Sequence, residues 1–379
     1  MNSDRVYLIY QNVPHYRVAV FRCLCETRDG APEYTLFAGN TTNLNGLKIV
    51  DVSRDSSADS EHTSRWKILR NYWCGELLFQ PGVIALAFDK KCDCIIYFGS
   101  VYYISTWISA LFARMIGKRV LFWTHGYRHR ESKYKALLRN TFYRIAHGIL
   151  VYGHRAKEIL KEYGFSGDRI YVVYNSLDYD GQILYRDASR IGKSDVTEIF
   201  DGDNPVLLWV GRMMPSRKLD LLFDGIKRMK DDGQCVSVML VGDGENRKDL
   251  ELLCHELGVH AQIHFYGACH DEKKLAQIFH SADLVICPGD IGLLAMHALM
   301  YGVPVVTHDN MDLHKPEVEA IMPGVSGDFF AYDDSQSLAN CVLDWFESHP
   351  DKSVNREQCY AVIDEKYNPK HQKRSIDQA

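Results

Sequence analysis

At 379 residues the chain is longer than one hydrophobic core usually supports, so two domains of roughly 150–200 residues each are expected. Hydrophobic residues at 46% and charged residues at 25% exclude a disordered, fibrous or membrane-embedded chain. The net charge of −5 hides an asymmetry. Between Arg114 and Tyr163 twelve Lys and Arg stand against three acids, which leaves about −14 elsewhere. That basic excess suits anionic lipid or an anionic substrate, and equally the solvated face of an amphipathic helix.

Met1 to Arg5 leads directly into a strand, with no basic-then-apolar leader, and the apolar runs are of strand length. The eleven cysteines are odd in number and contain no C-x-x-C. Their closest pairs, Cys23/Cys25 and Cys92/Cys94, are spaced too tightly for ordinary disulfides, so a reducing cytoplasm is expected. Strands are read at 5–10, 94–99, 119–125, 148–153 and 169–175, mostly separated by helices. The polar, glycine-bearing stretch 176–204 reads as a connector. Beyond it the alternation is regular: LLWVG, a helix near 217–230, VSVMLVG, a helix near 245–257, IHFYG, a helix near 271–280, LVICPG, a helix from 292, then PVVTH. This predicts α/β architecture with parallel sheets, in which ligands bind at the carboxyl ends of the strands, here in a cleft between two domains. The expected domains are 1–190 and 191–360, with a tail at 361–379 that could cross back to the first.

The candidate chemistry sits on strand-end loops. In VGRMMPSRK, Gly211 ends a strand, Arg212 follows, and Lys218 lies near the next helix start. A guanidinium and an ammonium together suit a diphosphate without a metal, although a surface arginine and a helix-start lysine would look the same. In PGDIGLLAMH, Pro288, Gly289 and Asp290 turn the chain, and Gly289, Asp290 and Ile291 join Gly211 as candidate donor-binding residues. Gly292 and Leu293 open a helix whose free amides can hold an anion, and His297 lies one turn in, where a satisfied core histidine is the simpler reading. VGDGEN is not a complete G-x-G-x-x-G, and Gln262 and His264 stand where a ribose-binding acid would be needed. First-half loops offer Pro14, His15, Tyr16 and Arg17, then His125, Arg128 and His129, as acceptor-side groups or as solvated cations. RWKILRNYW (65–73) fits a membrane interface, stacking on sugars, or a buried helix end. The acid pairs Asp178/Asp180 and Asp201/Asp203 are read as turns rather than metal ligands.

The ordered motifs VGRMMPSRK, VMLVGDGEN, IHFYGA, SADLVICPGDIGLLAMHALMYGVPVV and KPEVEAI over about 206–330, with 148–177 and THG at 124–126 more loosely, resemble the retaining GT-B-fold nucleotide-sugar glycosyltransferases of group 1 type, which include bacterial polysaccharide and lipid-linked glycan enzymes. The resemblance implies two Rossmann-like domains and sugar transfer from a nucleotide diphosphate sugar to a hydroxyl of a glycan or lipid-linked saccharide. It also implies retention of configuration and no metal or other cofactor. Arg212 and Lys218 match the diphosphate pair, and Gly292 and Leu293 the amides at the donor phosphate and sugar. Gly267 matches the loop beside the base, and His125 a histidine near the donor sugar. Members carry two glutamates eight positions apart where this chain has Gly289 and His297. A histidine can still bond ribose hydroxyls, and Asp290 could serve the sugar. The cytoplasm or the cytoplasmic face of a membrane is the implied location, and nucleic acid is not an expected partner. The alternatives are a non-catalytic nucleotide-sugar-binding protein and a GT-B nucleotide-sugar epimerase.

Overall fold

The structure is a computed structural model that describes residues 4–26, 30–43, 49–50, 65–186, 199 and 204–379. Asp201, Asp203 and most of the expected connector lie outside the described residues.

The chain forms two compact units, Met1–Asp178 with Asn368–Ala379, and Tyr179–Tyr367. The first division falls ahead of the expected 190 because residues 179–186 bind to the second unit. The Tyr179 hydroxyl donates to Asp364 at 2.8 Å, and Arg186 donates to the Met300 carbonyl at 3.1 Å while lying over the Tyr360 ring. The second division falls after the expected 360 because the helix Lys352–Glu365 stays with the second unit. The last helix, Pro369–Asp377, belongs to the first unit. Its Gln372 accepts from the Ser176 hydroxyl at 2.7 Å, and its Lys373 donates to the Leu24 carbonyl.

In the first unit nine strands are described: β1 (Arg5–Tyr10), β2 (Glu33–Gly39), β3 (Trp66–Leu69), β4 (Tyr72–Cys74), β5 (Leu77–Phe79), β6 (Cys94–Phe98), β7 (Arg119–Thr124), β8 (Gly148–Val151) and β9 (Ile170–Val172). Seven make a parallel sheet in the order β3-β2-β1-β6-β7-β8-β9, and β4 and β5 form an antiparallel pair. Alternation along β1 sends Tyr7 and Ile9 into one core and Val6, Leu8 and Tyr10 into another, so both faces of the sheet are covered. Neither β2 nor β3 is in the sequence reading. Trp66, read there as an interfacial or helix-end aromatic, is a buried residue of β3.

The second unit has six parallel strands: β10 (Val206–Val210), β11 (Ser237–Val241), β12 (Ile263–Gly267), β13 (Leu284–Cys287), β14 (Val305–His308) and β15 (Gly327–Phe330). Their order is β12-β11-β10-β13-β14-β15. The order reverses between β10 and β13, which pair through Leu207 with Leu284 and Leu208 with Val285. Chains leaving these two strands turn to opposite sides, opening a crevice at their carboxyl ends. The two richest sequence motifs, at 210–218 and 288–297, leave from those two strands.

Candidate functional site

At the carboxyl edge of the second sheet the first three loops lock together through their backbones. Gly211 N–H donates to Val241, Gly242 N–H to Gly267, and Met213 N–H to Asp243, at 2.8–2.9 Å. Gly242 has φ +149°, and a Cβ there would lie 1.8 Å from the Gly211 carbonyl oxygen, so only glycine permits this approach. From this base Arg212 projects as an exposed side chain with no hydrogen bond or ion pair among the described residues. Its guanidinium is therefore open to a ligand.

The chain then makes a tight turn at Pro215–Arg217 that presses on the loop after β13. A Cβ on Gly289 would fall 2.4 Å from the Ser216 carbonyl oxygen. Position 289, where the resembling family carries a carboxylate, thus has no room for a side chain against this turn. Arg217 donates to both the Asp290 carbonyl, at 2.6 Å, and its carboxylate, at 2.7 Å, and Lys315 stands 3.7 Å from the other carboxylate oxygen. Asp290, expected as a sugar ligand, is held between two cations instead.

The loop is fixed from below by histidines. Ile291 N–H donates to His314 Nδ1 at 3.1 Å, which leaves the proton on Nε2 to donate to the His308 carbonyl at 2.8 Å. The two rings stack at 4.0 Å. Burial, then the neighbouring His314, pulls His308 down to about 4, so it is neutral near pH 7. Ile291 is buried, and Gly292 caps the helix Leu293–Met300 without a side-chain cap bond, leaving its first amides for a ligand.

Lys218 caps the helix Leu219–Asp231 in a left-handed conformation, φ +50°. It donates to Asp333 at 2.6 Å and lies 4.2 Å from the Tyr332 ring centroid. Burial opposes its charge, but the bonds to Asp333 and Tyr332 outweigh burial and raise its pKa. Asp333 also has positive φ, +64°. Of three described non-glycine residues with positive φ, two are the partners in this ion pair, and such conformations concentrate where function over-determines them.

His297 does not point into this arrangement. Its Nε2 lies 2.8 Å from Glu272, which also accepts from Tyr301 at 2.7 Å and Gln182 at 2.9 Å. Burial would raise the Glu272 pKa, but these donors overcome it and pull the carboxyl to about 2. A ribose contact through His297 Nε2 would have to displace Glu272. Gly267 lies at the same edge, separated from β13 by β11 and β10.

In the first unit, Pro14 opens the turn His15–Arg17, its carbonyl accepting from Arg17 N–H at 2.9 Å. His15 is exposed and Tyr16 half-buried, while Arg17, expected to face a ligand, is buried. It lies 4.7 Å over the Tyr152 ring and 5.1 Å over Trp123, and donates to the Tyr152 hydroxyl. Burial keeps that hydroxyl protonated far above its usual range. His125, after β7, packs its ring 4.8 Å from Tyr152, and Arg128 is exposed beyond it. Tyr152 therefore joins Arg17 to His125, a link that the spacing of these residues in the chain does not show. Arg217 was also overlooked, although it stands beside Lys218 in the same cationic stretch.

Two family models match separate stretches of the chain. Residues 204–348 match the family model Glycosyl transferases group 1, and residues 48–180 match Glycosyltransferase Family 4. An uncharacterized glycosyltransferase of Methanocaldococcus jannaschii is 25% identical over 174 residues, 44% of this chain and 43% of its own length. A 41.2 kDa protein of the cps region of Klebsiella pneumoniae is 30% identical over 189 residues, 49% of this chain and 47% of its own. The chain thus spans less than half the length of these curated relatives. The crystal structure of Anabaena HepE in complex with UDP is similar over 99% of this chain and 98% of its own, with TM-score 0.67 and 17% identity. At that identity the likeness establishes the fold: two Rossmann-like α/β halves of the GT-B type.

Proposed function

We propose that this chain is a glycosyltransferase of GT-B fold that moves a sugar from a nucleotide diphosphate sugar to a hydroxyl of a glycan or lipid-linked saccharide, a reading that the two matching segments and the fold support. Retention of configuration, independence of metal, and action in the cytoplasm or at the cytoplasmic face of a membrane belong to the same reading.

The observation that carries it is the exposed, uncommitted Arg212 guanidinium beside the β10/β13 switch point, on the same edge as Lys218 and the open amides at Gly292 and Leu293. Negative charge grows on the departing diphosphate as the bond to the sugar breaks. Fixed cations and amides aimed at that charge lower the barrier most, because they need little reorganisation. Arg212 clamps the oxygens, and Lys218 adds a point charge once a phosphate competes with Asp333 for it. In the first unit, His125 and the exposed His15 and Arg128 offer polar groups to sugar hydroxyls. The buried Arg17 orients Tyr152 from beneath.

A second reading has one observation in its favour: position 289 offers no carboxylate and His297 is bound to Glu272, as in a protein that binds the donor without turning it over. Thermal-shift binding across nucleoside diphosphates and their sugars, followed by turnover of whichever donor binds, separates the two. Stabilisation that Arg212→Ala abolishes, with sugar transfer, supports the enzyme. Binding without transfer or hydrolysis supports the sensor, and conversion of the donor without an acceptor would indicate an epimerase.

A further inference from the structure

The helix Ile104–Met115 is built inside out. Its small and hydroxyl-bearing residues Ser105, Thr106, Ser109, Ala110 and Ala113 face the core. The buried hydroxyls are satisfied there: Ser109 donates to the Val83 carbonyl at 2.8 Å, and Ser105 accepts from Gln80 N–H at 3.0 Å. The large apolar residues Ile104, Leu111, Phe112, Met115 and Ile116 face outward, with Met115 78% exposed. The helix Lys133–Tyr143 shows the same habit, with Tyr134, Leu137 and Leu138 on one face at 87%, 62% and 53% exposure. The two helices adjoin, since the Trp107 and Phe142 rings lie 4.7 Å apart and Arg114 donates to the Ile145 carbonyl at 2.6 Å.

Cations surround this surface. From residue 94 to residue 157 there are eleven Lys and Arg and one acid, Glu131, which is paired with Arg139 at 2.7 Å. Arg114, Lys133, Lys135 and Arg144 are exposed. An apolar ridge of this size is unusual on a surface that meets only water. A second copy of the chain would bring one basic rim against another, whereas an anionic bilayer complements both the ridge and the rim. A twelve-residue helix spans about 18 Å, short of the ~30 Å hydrocarbon core, so it can lie in the interface but not cross it.

We propose that the face formed by Ile104–Met115 and Lys133–Tyr143 docks the protein on a membrane surface containing anionic lipid. The inference deepens the membrane-face part of the proposed function, and its test is separable from sugar transfer because vesicle binding needs neither donor nor acceptor.

The test is co-sedimentation of the full chain with vesicles of phosphatidylcholine alone and of phosphatidylcholine with phosphatidylglycerol. Binding to the anionic vesicles is expected, weakening as salt rises. The double variants Lys133→Glu/Lys135→Glu and Leu137→Ser/Leu138→Ser should each lower it by roughly tenfold or more. Because all four side chains are exposed, melting monitored by circular dichroism should not change. Absence of binding to anionic vesicles, or variants that bind like the parent, would overturn the proposal. So would a dimer dispersed by Leu137→Ser/Leu138→Ser in a protein that ignores vesicles, since a second copy would then cover the face.

Discussion

The carboxyl edges of the two sheets carry cations in contrasting ways. In the second unit, Arg217 and Lys218 are partly exposed and paired with acids, and Arg212 is left uncommitted. In the first unit, Arg17 is buried among aromatic rings and spends a donor on Tyr152. Partly exposed cations can change partners when an anion arrives. A buried arginine under a tyrosine is a fixed support, so the same residue type is held in place in one unit and left open in the other.

Breaking the second edge should produce the largest effect. Arg212→Ala should lower turnover by on the order of 10²-fold or more if its contact strengthens toward the transition state, read as kcat/KM with the donor identified by thermal shift. Full activity in both Arg212→Ala and Lys218→Ala would remove the assignment.

Next comes Gly289→Glu, which restores the carboxylate of the resembling family but drives a side chain into the Ser216 carbonyl. Overpacking of this kind should lower stability by about 1–3 kcal/mol in urea unfolding. A variant as stable as the parent would show that the turn at 215–217 yields easily, and position 289 would again be open to a ligand.

In the first unit, Tyr152→Phe keeps the ring under His125 and removes the hydroxyl that accepts from Arg17 and shares a hydrogen bond with the Tyr10 hydroxyl at 3.2 Å. A loss of about 1.5 kcal/mol is expected, in the range for a hydrogen bond to a charged group. Donor binding should be unchanged, which distinguishes support from binding; weaker donor binding would undo that distinction.

The smallest effect depends on pH. Glu272 is held at about 2, below the ordinary unfolded value of about 4.3. The folded state therefore favours the carboxylate, and its contribution is present above the unfolded pKa and lost as pH falls toward 2. The stability gap between the parent and Glu272→Gln should be full at neutral pH and close over that window. A gap that stays constant down to pH about 2 would mean that ionisation of Glu272 is not what the cluster stabilises.

Much of the second unit was legible because its signals are local. Apolar runs such as VMLV and LVIC are buried on both faces of a parallel sheet, and glycines end β10, β11 and β13 within a residue or two. Arg212, Gly292 and Leu293 follow from strand-to-helix punctuation that depends on neighbours in the chain. β2 and β3 were missed. β3 has four residues and lies at the sheet edge, with less continuous burial to mark it, whereas β2 has seven and opens on the half-buried polar residues Glu33 and Thr35.

The sequence by itself therefore determined the alternation of strands and helices, the two-part architecture, and the loops that present cations at strand ends, because each rests on periodicity and turn chemistry over a few residues. Only the tertiary structure decided that Asp290 belongs to Arg217, that His297 belongs to Glu272, that no side chain fits at 289, and that the tail joins the first unit from Asn368 onward rather than from 361. Those outcomes depend on distances between residues far apart in the chain, Gly289 against Ser216 and Gln372 against Ser176, and packing sets such distances where sequence spacing does not.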